Sequence, residues 1–212
     1  MHNQPNRGAL TLWAMRQQPA GHREIGIDAT ARLLIALAEL SQNGITVTSG
    51  VSLGEYAGGL SYRSVTAGLR SLEDQGLISR EGRQGRFVRY GFPNGPKQDK
   101  PHYIDANKTD VQNDVFDWAL KQRPKTEALQ SRNLAGRALT ALAAHADYDG
   151  YASVSLEELS QYVGMIQRQA LRDCVQTLQD TGLITQVDTS NGRAWTFRPV
   201  WQDALRQPPS QA

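Results

Sequence analysis

Apolar residues recur along this chain at helical spacing, and the stretches between them are short and turn-rich. Val65, Leu69 and Leu72 stand at i, i+4 and i+7, which places them on one stripe of a helix. Ser61 suits the N-cap of that helix, since its hydroxyl can accept from an otherwise unpaired N–H of the first turn. Gly76 suits the C′ stop. Gly68 lies beside the stripe, where a missing side chain would let a preceding helix pack close. The opposite face carries Tyr62, Arg63, Thr66, Ala67 and Arg70. Leu77 and Ile78 begin a strand that is predicted to turn at Glu81-Gly82-Arg83-Gln84-Gly85 and return through Phe87 to Phe92.

Upstream, Leu12 to Pro19 reads as a short amphipathic segment that proline ends. Asp28 reads as the N-cap of a helix from about Ala29 to Leu40, with Leu33, Leu34, Leu37 and Leu40 on its apolar face. Asn43-Gly44 breaks it, and Ile45-Thr46-Val47 is a β-prone run. Ser52 opens a second helix through Leu53, Tyr56 and Ala57, and Gly58-Gly59 closes it.

After Phe92 the composition shifts to a linker, Pro93 to Pro101, and then the pattern restarts. Trp13, Ala14, Gln17 and Pro19 recur as Trp118, Ala119, Gln122 and Pro124, 105 residues later. Arg32, Leu34, Ala36, Leu37 and Ala38 return at the same offset as Arg137, Leu139, Ala141, Leu142 and Ala143. Leu72-Glu73-Asp74-Gln75-Gly76-Leu77-Ile78 returns as Leu178-Gln179-Asp180-Thr181-Gly182-Leu183-Ile184, 106 residues later, so one residue is inserted, near Ile166. Two long matches at nearly one spacing indicate two copies of a unit of roughly 95 residues. The expected organisation is a first domain at 8–92, a linker at 93–111, a second domain at 112–202 and a tail at 203–212.

In the second copy Asp147-Tyr148-Asp149-Gly150 reads as a turn, and Ser155 starts a helix with Glu157 and Glu158 in its first turn. Leu171, Val175 and Leu178 form the stripe of the next helix. Its hairpin runs from Val187 to an Asn191-Gly192 tip and returns through Trp195 and Phe197. Trp13 and Trp118 are read as packing anchors, and Trp195 and Trp201 as core or edge residues of the second hairpin.

Net charge changes the picture only when divided. The chain totals +2, but residues 1–100 carry +4 and residues 101–212 carry −2. Arg80, Arg83, Arg86 and Arg89 fall within ten residues, interrupted only by Glu81. A single cysteine, Cys174, excludes an internal disulfide and fits a reducing compartment; it takes the place of Gly68 and is expected to pack inside. No apolar run approaches the ~18–20 residues of a membrane span, and the N-terminus lacks a secretion signal's apolar core, so a cytoplasmic protein is expected. His2, His22, His102 and His145 are scattered without metal spacing, and neither a Ser/His/Asp set nor a phosphate-binding glycine loop is present. The expectation is a protein without catalysis, cofactor or metal.

The order W-A-x-x-Q-x-P, R-x-L-x-A-L-A, then L-x-D-x-G-L-I resembles the winged helix-turn-helix domains of phage and plasmid replication proteins and related regulators. The resemblance covers both copies and implies a mainly α fold with small β-wings, as two tandem winged helix-turn-helix domains from an internal duplication. The second copy departs from the pattern at Ile166-Gln167, where a serine cap is usual.

The resemblance implies a double-stranded DNA partner, no membrane, and a nucleoid-associated location. Candidate DNA contacts are Ser61, Tyr62, Arg63, Ser64, Thr66 and Arg70 on the first helix. Arg80, Arg83, Gln84 and Arg86 follow on its wing, then Gln167, Arg168, Gln169, Arg172, Gln176 and Arg193 in the second copy. Arg63 has the chemistry to pair with guanine and the second helix's glutamines with adenine. Because the two reading faces differ, unlike half-sites about one turn apart (~34 Å), asymmetric or in direct repeat, are expected over a perfect palindrome. The expected role is sequence-specific binding by a transcriptional repressor of a mobile element or operon. Two alternatives stay open: a plasmid or phage replication initiator or partition protein, and an adaptor whose second copy docks a protein or a further copy of the chain.

Overall fold

A computed structural model describes residues 8–21, 26–96, 110–122, 124, 134–164, 167–189 and 192–198. The insertion assigned near Ile166, residues 97–109 of the linker, the 203–212 tail, Trp201 and three of the histidines (His2, His22 and His102) lie outside them. Within the described residues the fold is mixed α/β, with eight helices and two antiparallel three-stranded sheets.

The first half runs α1 (Ala9–Arg16), α2 (Ile27–Glu39), β1 (Ile45–Thr48), α3 (Gly50–Tyr56), α4 (Tyr62–Asp74), β2 (Ser79–Gln84) and β3 (Phe87–Gly91). The second half runs α5 (Asp110–Lys121), α6 (Ala135–Ala144), β4 (Tyr151–Ala152), α7 (Leu156–Val163), α8 (Arg168–Asp180), β5 (Ile184–Thr189) and β6 (Gly192–Phe197). Element order is the same in each. So is sheet order, β1-β3-β2 and β4-β6-β5.

Local chemistry accounts for most element ends. Ser61 Oγ accepts from the Ser64 N–H at 3.1 Å and caps α4. At its other end the Gly76 N–H reaches the Glu73 carbonyl and the Leu77 N–H the Leu72 carbonyl. That pair of bonds satisfies carbonyls the helix leaves open, and Gly182 and Leu183 repeat it behind α8. Ser155 and Glu158 cap α7 reciprocally.

Four element ends and turns differ from the expectation. Ser49, not Ser52, caps α3. Helix α2 starts at Ile27 behind Gly26, so Asp28 lies inside its first turn and bonds Arg32 at 3.0 Å instead of capping. The first hairpin turns at Gly85-Arg86, with Gln84 opposite Phe87, and the irregularity at Glu81 is a bulge within β2. In the second hairpin Gly192 is already a strand residue opposite Thr189, so the connection is 190–191, outside the described residues.

Gly68 is buried on α4, the helix that packs on α2, and Gly54 of α3 makes a further close approach. A Cβ at Gly54 would sit 2.6 Å from the Leu60 carbonyl oxygen, at the turn into α4.

The halves are not beads on a string. One continuous apolar core runs from Leu10, Leu34 and Leu53 through Phe116, Leu139 and Leu159 to Phe197. Trp13 packs edge-on against Phe92 at 6.1 Å, and Trp118 against Phe197 at 6.5 Å, which makes both tryptophans packing residues. Between the halves α1 packs on α7, α3 on α5 and α2 on α6. Arg32 Nη1 donates to the Gln122 carbonyl at 3.5 Å, and Arg137 Nη2 to the Gln17 carbonyl at 2.7 Å and the Met15 carbonyl at 3.3 Å. Asp28 lies beside both guanidiniums, its carboxyl raised by burial against their opposing attraction. Burial lowers Arg137, and Asp28 offsets part of that.

His145 ends α6, buried, with Nδ1 2.8 Å from the Ala141 carbonyl and its ring edge-on to Tyr162 at 5.0 Å. Burial holds its pKa below the ordinary 6.5, so the fold keeps the ring neutral where the unfolded chain protonates it. Stability is therefore full above about pH 6.5 and falls as pH drops below that, by at most ~1.4 kcal/mol per pH unit. Urea midpoints should fall from neutral to mildly acid pH, and His145→Gln should remove part of the fall. An unchanged pH profile in the variant would refute this role.

Candidate functional site

The start of α3, one side of α4 and the β2–β3 hairpin enclose a groove of about 470 Å³. Its helix wall is Tyr62, Val65, Thr66 and Leu69 of α4. On the outer face of that helix Ser61, Tyr62, Arg63, Thr66 and Arg70 are exposed and Ser64 is half-buried. Of these Tyr62 and Thr66 line the groove, while Arg63 and Arg70 lie beyond it. Tyr62, at the helix start, is 69 % exposed. Ala67 does not belong to this face, because it is buried with Val65, Leu69 and Leu72. Packing against α2 takes that side of the helix.

The hairpin supplies the other wall through Arg80, Arg83 and Arg86. Strand alternation splits the arginine cluster that looked uniform in sequence. Arg89 points to the other face of the sheet, beside Leu40, Asn43 and Val47. Arg80 is paired with Glu73 of α4 at 3.2 Å, so it ties the hairpin to the helix. Arg83 Nε donates to the Gly85 carbonyl at 2.7 Å, holding its guanidinium at the hairpin tip. Arg86 lies 5.1 Å from the Phe87 ring centroid. Gln84 is exposed between them. Arg83 and Arg86 thus carry the outward positive charge of the tip.

Several wall positions escaped the sequence reading, Ser49, Gly50 and Val88 among them. Val51, 60 % exposed, and Tyr90, buried at the groove's base, both line it. Burial raises the Tyr90 phenol, with Arg80 opposing and Glu73 adding to the rise. Val88 and Tyr90 share one strand face by their i, i+2 spacing, and that signal was available.

The corresponding face of α8 differs in chemistry. Gln167, Arg168, Gln169, Arg172 and Gln176 are all exposed, but acids on the same helix occupy the two outer amides. Gln169 Nε2 donates to Asp173 at 2.9 Å and Gln176 Nε2 to Asp180 at 2.8 Å. On the second hairpin Arg193 is exposed and stands opposite Asp188 in register. The carboxylates that hold these amides leave this face with negative charge, so it attracts phosphate weakly.

Cys174 is buried on the inner face of α8, and desolvation, with Asp173 and Asp28 adding, pushes its thiol up to about 11. A thiol so far from ionisation is a packing group, not a reactive one. Among the described residues no three His, Cys, Asp or Glu side chains gather as metal ligands, and no helix is long and apolar enough to cross a membrane. No protein-family model, curated protein or solved structure matches this chain.

Proposed function

We propose that the protein binds double-stranded DNA sequence-specifically as a tandem winged helix-turn-helix protein whose two halves arose by duplication. The observation that carries the reading is the groove between α4 and the arginine hairpin. A capped helix with Tyr62, Arg63, Thr66 and Arg70 facing solvent is flanked on one side by Arg83 and Arg86. A major groove ~12 Å wide admits such a helix, and residues near its N-terminus reach base edges. The hairpin arginines then meet phosphate, which sets affinity more than sequence choice. The recurrence of element order and strand order supports the duplication.

The second half contributes less charge. Its glutamines must release Asp173 and Asp180 before reading adenine, a cost that lowers what this half adds to specific binding. The same pairs suit a protein-docking face, so salt-insensitive binding to DNA with retained protein capture would favour the adaptor reading.

Arg63→Ala tests the proposal. On a selected site it should lower discrimination at one base position by ~1–3 kcal/mol, about 5- to 150-fold, while leaving non-specific binding nearly unchanged. Equal losses on all sequences would overturn the base-reading role. Footprints next to the chain's own gene would separate the finer roles. One site over a promoter fits a repressor, and clustered repeats fit an initiator or partition protein.

A further inference from the structure

The contacts between the halves occur in pairs with the roles exchanged. Arg32 and Arg137 stand at one offset, as do Gln17 and Gln122, and each arginine reaches the other half's glutamine carbonyl. Lys121 of α5 sits 5.8 Å from the Tyr56 ring of α3, and Arg16 of α1 sits 4.9 Å from the Tyr162 ring of α7. Gly58 and Gly164 repeat the pattern. A Cβ on the first would meet Arg32 Nη1 and the Leu120 and Lys121 carbonyls, and on the second Arg137 Nη2 and Gln18. Helix packing agrees, with α1 on α7, α5 on α3, and α2 on α6. Reciprocal contacts of this kind define an isologous interface, which only a two-fold axis generates. Head-to-tail stacking would instead give each half a different neighbour surface.

The seam lies close in sequence to the start of both reading helices. Ser61, the cap of α4, follows Gly58 by three residues, and Gln167, the cap of α8, follows Gly164 by three. Three residues span at most ~11 Å of chain. Both helices therefore begin within reach of the shared interface.

Resting on the DNA-binding reading above, we infer that the two heads are related by a local two-fold axis and recognise one duplex carrying two unlike half-sites in inverted orientation. B-DNA has its own two-fold axes across the duplex, and a protein two-fold aligned with one reads its half-sites head to head, about one turn apart (~34 Å). This departs from the direct repeat that chain order alone suggests. The half-sites differ because equivalent positions differ. Tyr62 corresponds to Arg168, Arg63 to Gln169, Thr66 to Arg172 and Arg70 to Gln176. Arg63 selects guanine where Gln169 selects adenine.

The test is selection of the full chain against a randomised duplex pool. Selected molecules should share two unlike elements, inverted, with centres about 10 bp apart. Reversing one element within a selected duplex, or inserting ~5 bp between the two, should weaken binding at least about tenfold, since one head then loses its site. The Arg168→Ala/Arg172→Ala variant should lose preference at the second element and keep it at the first. Convergence on one element, on direct repeats, or on pairs indifferent to orientation would overturn the two-fold reading while leaving DNA binding intact. No enrichment, with no salt-dependent retention on any duplex, would sink the DNA-binding proposal and this inference with it.

Discussion

Arg137→Met is expected to destabilise the fold by ~3–5 kcal/mol, because it removes a buried cation and leaves its carboxylate neighbour poorly compensated. Arg137 is 3 % exposed and Arg32 4 %, and Asp28 lies with both of them at the seam between the halves. The variant also strips two backbone carbonyls, of Met15 and Gln17, of their shared donor. Urea denaturation measures the loss directly. A double-mutant cycle identifies its origin: Asp28→Asn and Arg137→Met should be non-additive, since both remove members of one buried cluster, with Arg32 then left to its backbone acceptors. A single-variant loss under about 1 kcal/mol would mean that the seam is solvated and its charges are interchangeable with surface pairs.

The second large effect concerns the hairpin tip. Removing both Arg83 and Arg86 should lower affinity for every duplex alike and reduce the slope of log K against log salt by about 2, roughly 0.9 for each phosphate that is no longer neutralised. The fold should tolerate the change, because both side chains are exposed. A titration followed by fluorescence anisotropy over a salt series reads the slope. An unchanged slope would place the phosphate-binding groups elsewhere on the protein.

Much of the α4 unit was legible from spacing alone. The stripe of Val65, Leu69 and Leu72, the Ser61 cap and the Gly76 stop depend on neighbours within one helix, and local rules govern them. The errors lie where distant parts decide. Asp28 looked like a cap because it precedes an apolar helix, yet its carboxylate serves Arg32 and the seam. Two glycines competed for the hairpin turn. Gly85 won with φ +61, while Gly82 took a place in the strand beside a bulge. Evenly spaced arginines concealed strand alternation, which sends Arg89 away from Arg83 and Arg86. Arg32 and Arg137 were visible as a repeated pair, but repetition in a sequence carries no information about whether the repeats touch.

The seam has a consequence for how such a protein can change. An assembly of two identical subunits expresses every substitution twice, so neither partner can acquire a new specificity alone. Here the mutually buried surfaces belong to one polypeptide, and a codon altered in α8 leaves α4 as it was. The exposed face of each half is free to drift by itself, while the apolar faces that join them must change together or not at all.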